Sequence, residues 1–265
     1  MRKIIYSTKI NNNDYSLYLS DEEEFLRTCL KKRIPAVALI PGSGDLANTS
    51  RKPSSDLGFF PWAAEDESSL SEDKVYMDNI IFRTCGIPKT VCITQRLLIR
   101  ELCENDAHSV LSLFEEGAES GFVSPWKSSP EETAIELRDY NRYYYDMYEY
   151  GYFGIELRDE FRDGSSLAGM LIGVAGFSGI SDLNLSTKRN DRHNTCHIIK
   201  KSTPGPDPSP LEAGYLISSS YRMKGYAYEA MTALLGCSFS RCHDVYIFTD
   251  KKNIAGNHLS SKLTG

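Results

Sequence analysis

An α/β fold, with short strands alternating with amphipathic helices, is predicted by three stretches of this sequence. Leu211 to Ser218 is an apolar run of strand length. A turn follows it, and Lys224 to Phe239 then carries Ala227, Ala230, Met231, Ala233, Leu234 and Cys237 at helical spacing. Near the N-terminus, an amphipathic helix over 21–33 leads into the continuous apolar run Ile34 to Ile40, as a buried strand requires. Tyr152 to Leu157 and Leu167 to Phe177 flank the charged turn Arg158 to Ser165 as the two arms of a hairpin. With 265 residues, 41% of them hydrophobic and 11% aromatic, the chain has room for a sizeable core.

Taken in order, the first helix begins on the acids Asp21 to Glu24, turns Phe25, Leu26, Cys29 and Leu30 inward, and ends on Lys31, Lys32 and Arg33, which suits the helix dipole. Gly42-Ser43-Gly44-Asp45 has no clean helix behind it and reads as an exposed turn, with residues 48–57 as a surface loop. Phe59 to Ala63 reads as an aromatic strand. Ser71 to Asp73 caps a helix expected to bury Val75, Tyr76, Ile80, Ile81 and Phe82, and Gly86-Ile87-Pro88 ends it. A boundary is placed between an accessory segment, 1–92, and a larger domain, 93–265. Thr94 to Leu102 alternates like a half-buried strand. A helix opening at Glu104 buries Val110, Leu111, Leu113 and Phe114, and another runs from Pro130 to about Tyr150. Its tyrosines read mainly as amphipathic core residues with wet hydroxyls. Residues 182–210 form a basic insertion, loop then strand. Val245 to Thr249 is a further strand, and the last helix begins at Asn253.

Composition narrows the function classes. A formal net charge of -6 argues against a broad nucleic-acid-binding surface. No run approaches 18 apolar residues and the N-terminus lacks an apolar core segment, so neither a membrane span nor a signal peptide is expected. The 7 cysteines form no C-x-x-C pair and read as reduced thiols, hence a cytoplasmic protein. His193 and His197 have a metal-like spacing only if helical, whereas their surroundings read as loop then strand, so no metal is expected.

The turn between Leu211 to Ser218 and the following helix carries the chemistry. It reads Arg222-Met223-Lys224-Gly225-Tyr226-Ala227, and a helix starting there aims its free N–H groups and positive dipole end into the loop, which is an anion site. Gly225 lets backbone approach a phosphate, and Arg222 and Lys224 add mobile positive charge. With its flanks, E-x-G-Y-x-I-S before and Y-R-x-K-G-Y-A-x-E-A through it, the run resembles the acetyl-CoA-binding motif of the GNAT superfamily of N-acetyltransferases, in wording close to the ribosomal-protein N-terminal acetyltransferase branch. The resemblance spans roughly Thr94 to Gly265, with Thr94 to Arg100 matching the family's opening strand and Ile172 to Phe177 its third.

The resemblance implies a mixed, mostly antiparallel sheet flanked by helices, and direct acetyl transfer from acetyl-CoA to a primary amine, on a protein N-terminus or a small molecule, in a ternary complex. It places Leu216, Ile217 and Ser218 against the pantetheine arm, Arg222, Met223, Lys224, Gly225, Tyr226 and Ala227 around the phosphates, and Asn253 near the arm. Glu212 takes the place of a base, and Tyr148 and Tyr150 border the acceptor. The chain departs from the pattern at the last helix, where Gly256 stands for the usual Ser or Ala and Ser260 for a tyrosine acid, leaving Ser260 or water in that role. Two further strands that close the fold are not found before Gly265; truncation, strands from a partner, and loss of catalysis all remain open. The alternative reading is a non-catalytic CoA-binding regulatory or scaffold module. The accessory segment is open to roles in packing, homodimer formation or acceptor selection.

Overall fold

The computed structural model describes residues 2–40, 60–71, 73–124, 126, 128–161, 170–201, 209–237 and 243–264. The chain divides into two compact units, Met1–Ile87 and Pro88–Gly265.

The first unit opens with an unforeseen hairpin, β1 (Arg2–Ile10) and β2 (Asn13–Ser20). Asn11 and Asn12 turn it at φ 49° and 65°, the left-handed region that asparagine tolerates and tight hairpins need. Helix α1 (Glu23–Lys32) follows with acids first and lysines last, as its sequence predicts. Strand β3 (Ala36–Leu39) runs parallel to β2, and β4 (Ala63–Ala64) parallel to β3, giving the order β1-β2-β3-β4. The expected aromatic strand is reduced to those two alanines. Phe60 instead fills the cluster of Leu26, Cys29, Ala36 and Ala38.

A short α2 (Ser68–Ser71) precedes α3 (Lys74–Cys85), whose cap Asp73 accepts the Tyr76 N–H at 2.8 Å. Met77, Ile80 and Ile81 are its buried face. Val75 is 80% exposed, contrary to expectation, because two positions from Met77 it points across the helix. The glycine turn at 42–45 and the loop 48–57 lie outside the described residues.

The second unit is built on a seven-stranded sheet. In chain order it comprises β5 (Thr90–Ile93), β6 (Leu97–Glu101), α4 (Ala107–Ala118), α5 (Pro130–Asp139), a widened turn (Tyr140–Tyr144), α6 (Tyr145–Tyr148), β7 (Tyr152–Leu157), β8 (Leu171–Gly179), α7 (Asp182–Asn190), β9 (Asn194–Lys200), β10 (Leu211–Ile217), α8 (Tyr226–Gly236), β11 (Val245–Asp250) and α9 (Ile254–Leu263). The sheet order is β5-β6-β7-β8-β10-β11-β9, and only β10 and β11 are parallel. It is the mixed, mostly antiparallel sheet expected. Strand β5, cut by the sequence boundary at 92/93, belongs to it. The insertion holds a helix as well as a strand: Ser181 caps α7 by accepting the Asn184 N–H at 3.3 Å.

Leu211, Ala213 and Ile217 of β10 pack with Ala230, Met231 and Leu234 of α8 on one face of the sheet. On the other, Leu216 and Val174 join Val110 and Leu113 of α4.

Under that second face lies a buried charge cluster. The Arg100 guanidinium donates two bonds to Asp106, at 2.7 and 2.8 Å, and one to Glu156, all three side chains being nearly inaccessible. Burial alone lowers the Arg100 pKa, but the two carboxylates outweigh it and raise it. Two buried carboxylates without their cation would repel each other in a low dielectric. Arg100→Met is therefore expected to lower the unfolding free energy by about 3–5 kcal/mol, read as a fall in the urea midpoint with an unchanged slope.

Candidate active site

Strands β10 and β11 stay together for three residue pairs, Leu211 with Val245, Glu212 with Tyr246 and Ala213 with Ile247. Beyond these, β10 continues on β8 to Ile217 and β11 continues on β9 to Asp250. A fork opens between Gly214 and Phe248. On one side the Ser218 N–H donates to Ile172 of β8 at 2.9 Å, and on the other the Leu211 N–H donates to Asp244 at 2.9 Å. Strand alternation then turns the peptide groups of Tyr215 and Ile217 into the fork. Of the three residues expected to line it, Ile217 faces it through its backbone, Leu216 and Ser218 face β8, and Tyr215 joins the site. The Ile217 carbonyl is taken by Arg222 Nε at 2.8 Å.

At the fork's open end the loop from Ser219 leads into α8. Met223 and Gly225 are left-handed, at φ 61° and 83°, and Gly225 caps the helix, so glycine is the residue this backbone favours. The loop is tied down from both sides. Arg96 Nη1 donates to the Lys224 carbonyl at 3.0 Å, Arg96 Nε donates to Glu229 at 2.6 Å, and its guanidinium lies 4.5 Å from the Tyr226 ring centre. Glu229 also accepts the Thr94 hydroxyl at 2.6 Å and the Arg96 N–H at 2.9 Å. From α4, Glu116 accepts the Ser219 N–H at 2.6 Å and the Ser218 hydroxyl at 3.0 Å. Glu229 is the acid of the quoted Y-R-x-K-G-Y-A-x-E-A run, and Thr94 and Arg96 lie in the opening strand, but their pairing, like the contact from Glu116, is made only by the fold and was not read from the sequence. Met223 is 91% exposed at the loop's apex, and Lys224 Nζ stands 5.2 Å above the Tyr221 ring.

The other face of the fork holds Glu212. Both of its oxygens accept from Lys188 Nζ of α7, at 2.6 and 2.5 Å, and that ammonium stands 5.5 Å from the centre of the Phe248 ring. Tyr152 reaches the same place from β7. Its hydroxyl lies near Ser178, the register partner of Glu212, and where a Cβ on Gly214 would come within 2.7 Å. Burial chiefly, and the nearby Glu212 charge, raise the Tyr152 pKa against the opposing Ser178 bond, so it stays a protonated donor.

Tyr148 and Tyr150 are half exposed, their rings 5.7 Å apart, and Tyr150 continues to His243 at 5.6 Å. Burial raises the Tyr150 pKa. Tyr140, partly buried, and Tyr145, buried, spend their hydroxyls on backbone: the Tyr140 hydroxyl accepts the Tyr152 N–H at 2.8 Å, and the Tyr145 hydroxyl accepts the Leu102 N–H at 3.0 Å while donating to the Tyr152 carbonyl.

Asn253 caps α9, accepting the Gly256 N–H at 2.9 Å. Ser260 is fully buried, donating to the Gly256 carbonyl at 2.9 Å and facing the Thr249 hydroxyl at 3.1 Å. The expectation of Ser260 as an acid thus falls on a hydroxyl with no exposed surface. Among the described residues no group of three potential ligands could hold a metal ion, and no helix is long and apolar enough to cross a membrane.

Burial raises the Glu229 carboxyl, but the Thr94 and Arg96 bonds and the Arg96 charge outweigh it and hold its pKa below the ordinary 4.5. A depressed carboxylate stabilises the fold above its unfolded pKa, and that stabilisation is lost as pH falls through the folded value. The thermal stability gap between wild type and Glu229→Gln is thus expected to be constant above about pH 6 and to close as pH falls below 4.5.

Comparison with known proteins agrees with this geometry. Residues 96–263 match the family described as the acetyltransferase (GNAT) domain. Similar solved structures include a GNAT-family acetyltransferase from Bacillus anthracis, 17% identical over 66% of this chain and 81% of that one, with a TM-score of 0.41. The ribosomal-protein-S5-alanine acetyltransferase of Vibrio fischeri is 15% identical over 66% and 82%, with a TM-score of 0.43. RimL, a ribosomal L7/L12 alpha-N-protein acetyltransferase, is 14% identical over 66% and 79%, with a TM-score of 0.42. No curated protein matches. With the family match spanning more than half of its length, the chain belongs to the GNAT acetyltransferases.

Proposed function

We propose that the chain is an N-acetyltransferase that moves the acetyl group of acetyl-CoA to a primary amine, of a protein N-terminus or a small molecule, by direct transfer in a ternary complex. The observation that carries this reading is the Glu212 carboxylate at the fork, already binding a primary ammonium, that of Lys188.

The residues present fit acetyl-CoA. The peptide group of Tyr215 and the N–H of Ile217, turned into the fork, suit an amide-bearing arm, and the loop from Arg222 through Met223, Lys224, Gly225 and Tyr226 to Ala227 suits phosphates. Asn253 follows the end of β11 and caps α9, and is the candidate for a contact to the arm. Acetyl-CoA supplies the activated acyl group as a thioester. For amine acetylation the nucleophile must first be neutral, and Glu212 is placed to take its proton, directly or through water. The protonated Tyr152 hydroxyl is placed to donate toward the developing negative charge. Tyr148 and Tyr150 supply an aromatic border that favours a cationic acceptor.

The test is acetyl-CoA binding by calorimetry on the whole chain, followed by thiol release against a panel of amines and N-terminal peptides. Wild type is expected to bind and turn over. Glu212→Gln is expected to lower kcat by about 10²–10⁴ with acetyl-CoA affinity intact, and Tyr152→Phe to lower kcat by less. Unchanged turnover in Glu212→Gln would remove the base. Binding without turnover across the panel would favour a CoA-binding module, and absence of binding would overturn the reading altogether.

A further inference from the structure

We infer that Lys188 Nζ is itself an acetyl acceptor of this site, so that the chain acetylates its own α7 in cis; the inference rests on the acetyl-transfer reading above.

The position of the amine carries it. Glu212 is one residue before the last β10–β11 pair, and Phe248 is the first residue beyond it. Lys188 Nζ touches the first at 2.5 and 2.6 Å and stands 5.5 Å from the ring centre of the second, so it sits at the mouth of the fork as judged from both strands. Other amines around the insertion point elsewhere: Lys200 Nζ donates to the Leu235 carbonyl and Lys251 Nζ to the Arg192 carbonyl. The Lys188 side chain is 42% exposed and Glu212 23%, so the pair is wet enough to part and re-form as the proton leaves.

The chemistry balances. Glu212 takes one ammonium proton from Nζ, and the freed electron pair attacks the thioester carbonyl. The N–C bond forms as the C–S bond breaks. The second proton leaves the nitrogen and ends on the CoA sulfur as the thiol, while the proton on Glu212 passes to solvent. Acetylated Lys188 is neutral and no longer holds the Glu212 carboxylate, which is then free for an amine from outside.

The experiment incubates the full chain with acetyl-CoA and reads intact mass and peptide maps, with acetyl-CoA binding measured by calorimetry on the same sample. One acetyl group is expected, on Lys188, at a rate per chain independent of chain concentration. None is expected at this position in Lys188→Arg, which keeps the charge, and Glu212→Gln is expected to slow the reaction about tenfold or more. Acetyl-CoA binding and turnover of an external amine with Lys188 unmodified would overturn the inference and leave the proposed function standing. Labelling of Lys188 no faster than that of the exposed Lys9 and Lys252 would also overturn it, as uncatalysed chemistry. A chain that binds no acetyl-CoA would overturn both.

Discussion

The parting of β10 and β11 after three residue pairs is the constraint on which the site depends. Two parallel strands left side by side would zip closed, because each unmet backbone group in a buried setting costs about 1–3 kcal/mol. Here each strand is held from its outer side: β8 follows β10 to Ile217, and β9 follows β11 to Asp250. The insertion that supplies β9 therefore anchors one wall of the fork. The inner peptide group of Tyr215 and the N–H of Ile217 are left to solvent or a ligand, while Arg222 takes the Ile217 carbonyl, an arrangement a closed sheet would not offer.

The loop at the open end is shaped by groups outside it. Arg96 and Glu229, with side chains 30% and 17% exposed, combine an ion pair with bonds to the Thr94 hydroxyl, the Arg96 N–H and the Lys224 carbonyl. A pair embedded in such a network holds geometry better than the wetter Lys188–Glu212 pair, since an isolated exposed pair contributes under about 1 kcal/mol. One fixes a loop in which Met223, a non-glycine, is held in the left-handed region, and the other is left wet at the mouth of the fork.

Local signals were legible in the sequence where one stretch contained the whole explanation. Strand, loop and helix from Leu211 to Gly236 combine apolar spacing with Gly225, and all three appear. The β1–β2 hairpin was equally local, in Asn11-Asn12 flanked by alternating Tyr15, Leu17 and Leu19, but polar residues diluted its pattern. Glu116, Arg96 and Lys188 were not legible, because each meets the site only through the fold. Lys188 lies 24 residues from Glu212 in the chain and contacts it from a helix in the insertion that the sequence reads as loop then strand.

The departures at the last helix follow from one close approach. A Cβ on Gly256 would come within 2.6 Å of the Thr249 methyl, so glycine lets α9 settle against β11. That approach brings Ser260 beneath the helix and onto Thr249, with no exposed surface. The Tyr152 hydroxyl reaches the fork beside Glu212, admitted by Gly214, where a Cβ would come within 2.7 Å of it. The two glycines thus act together: one closes the helix that buries a serine, and the other opens the strand that exposes the fork to a tyrosine.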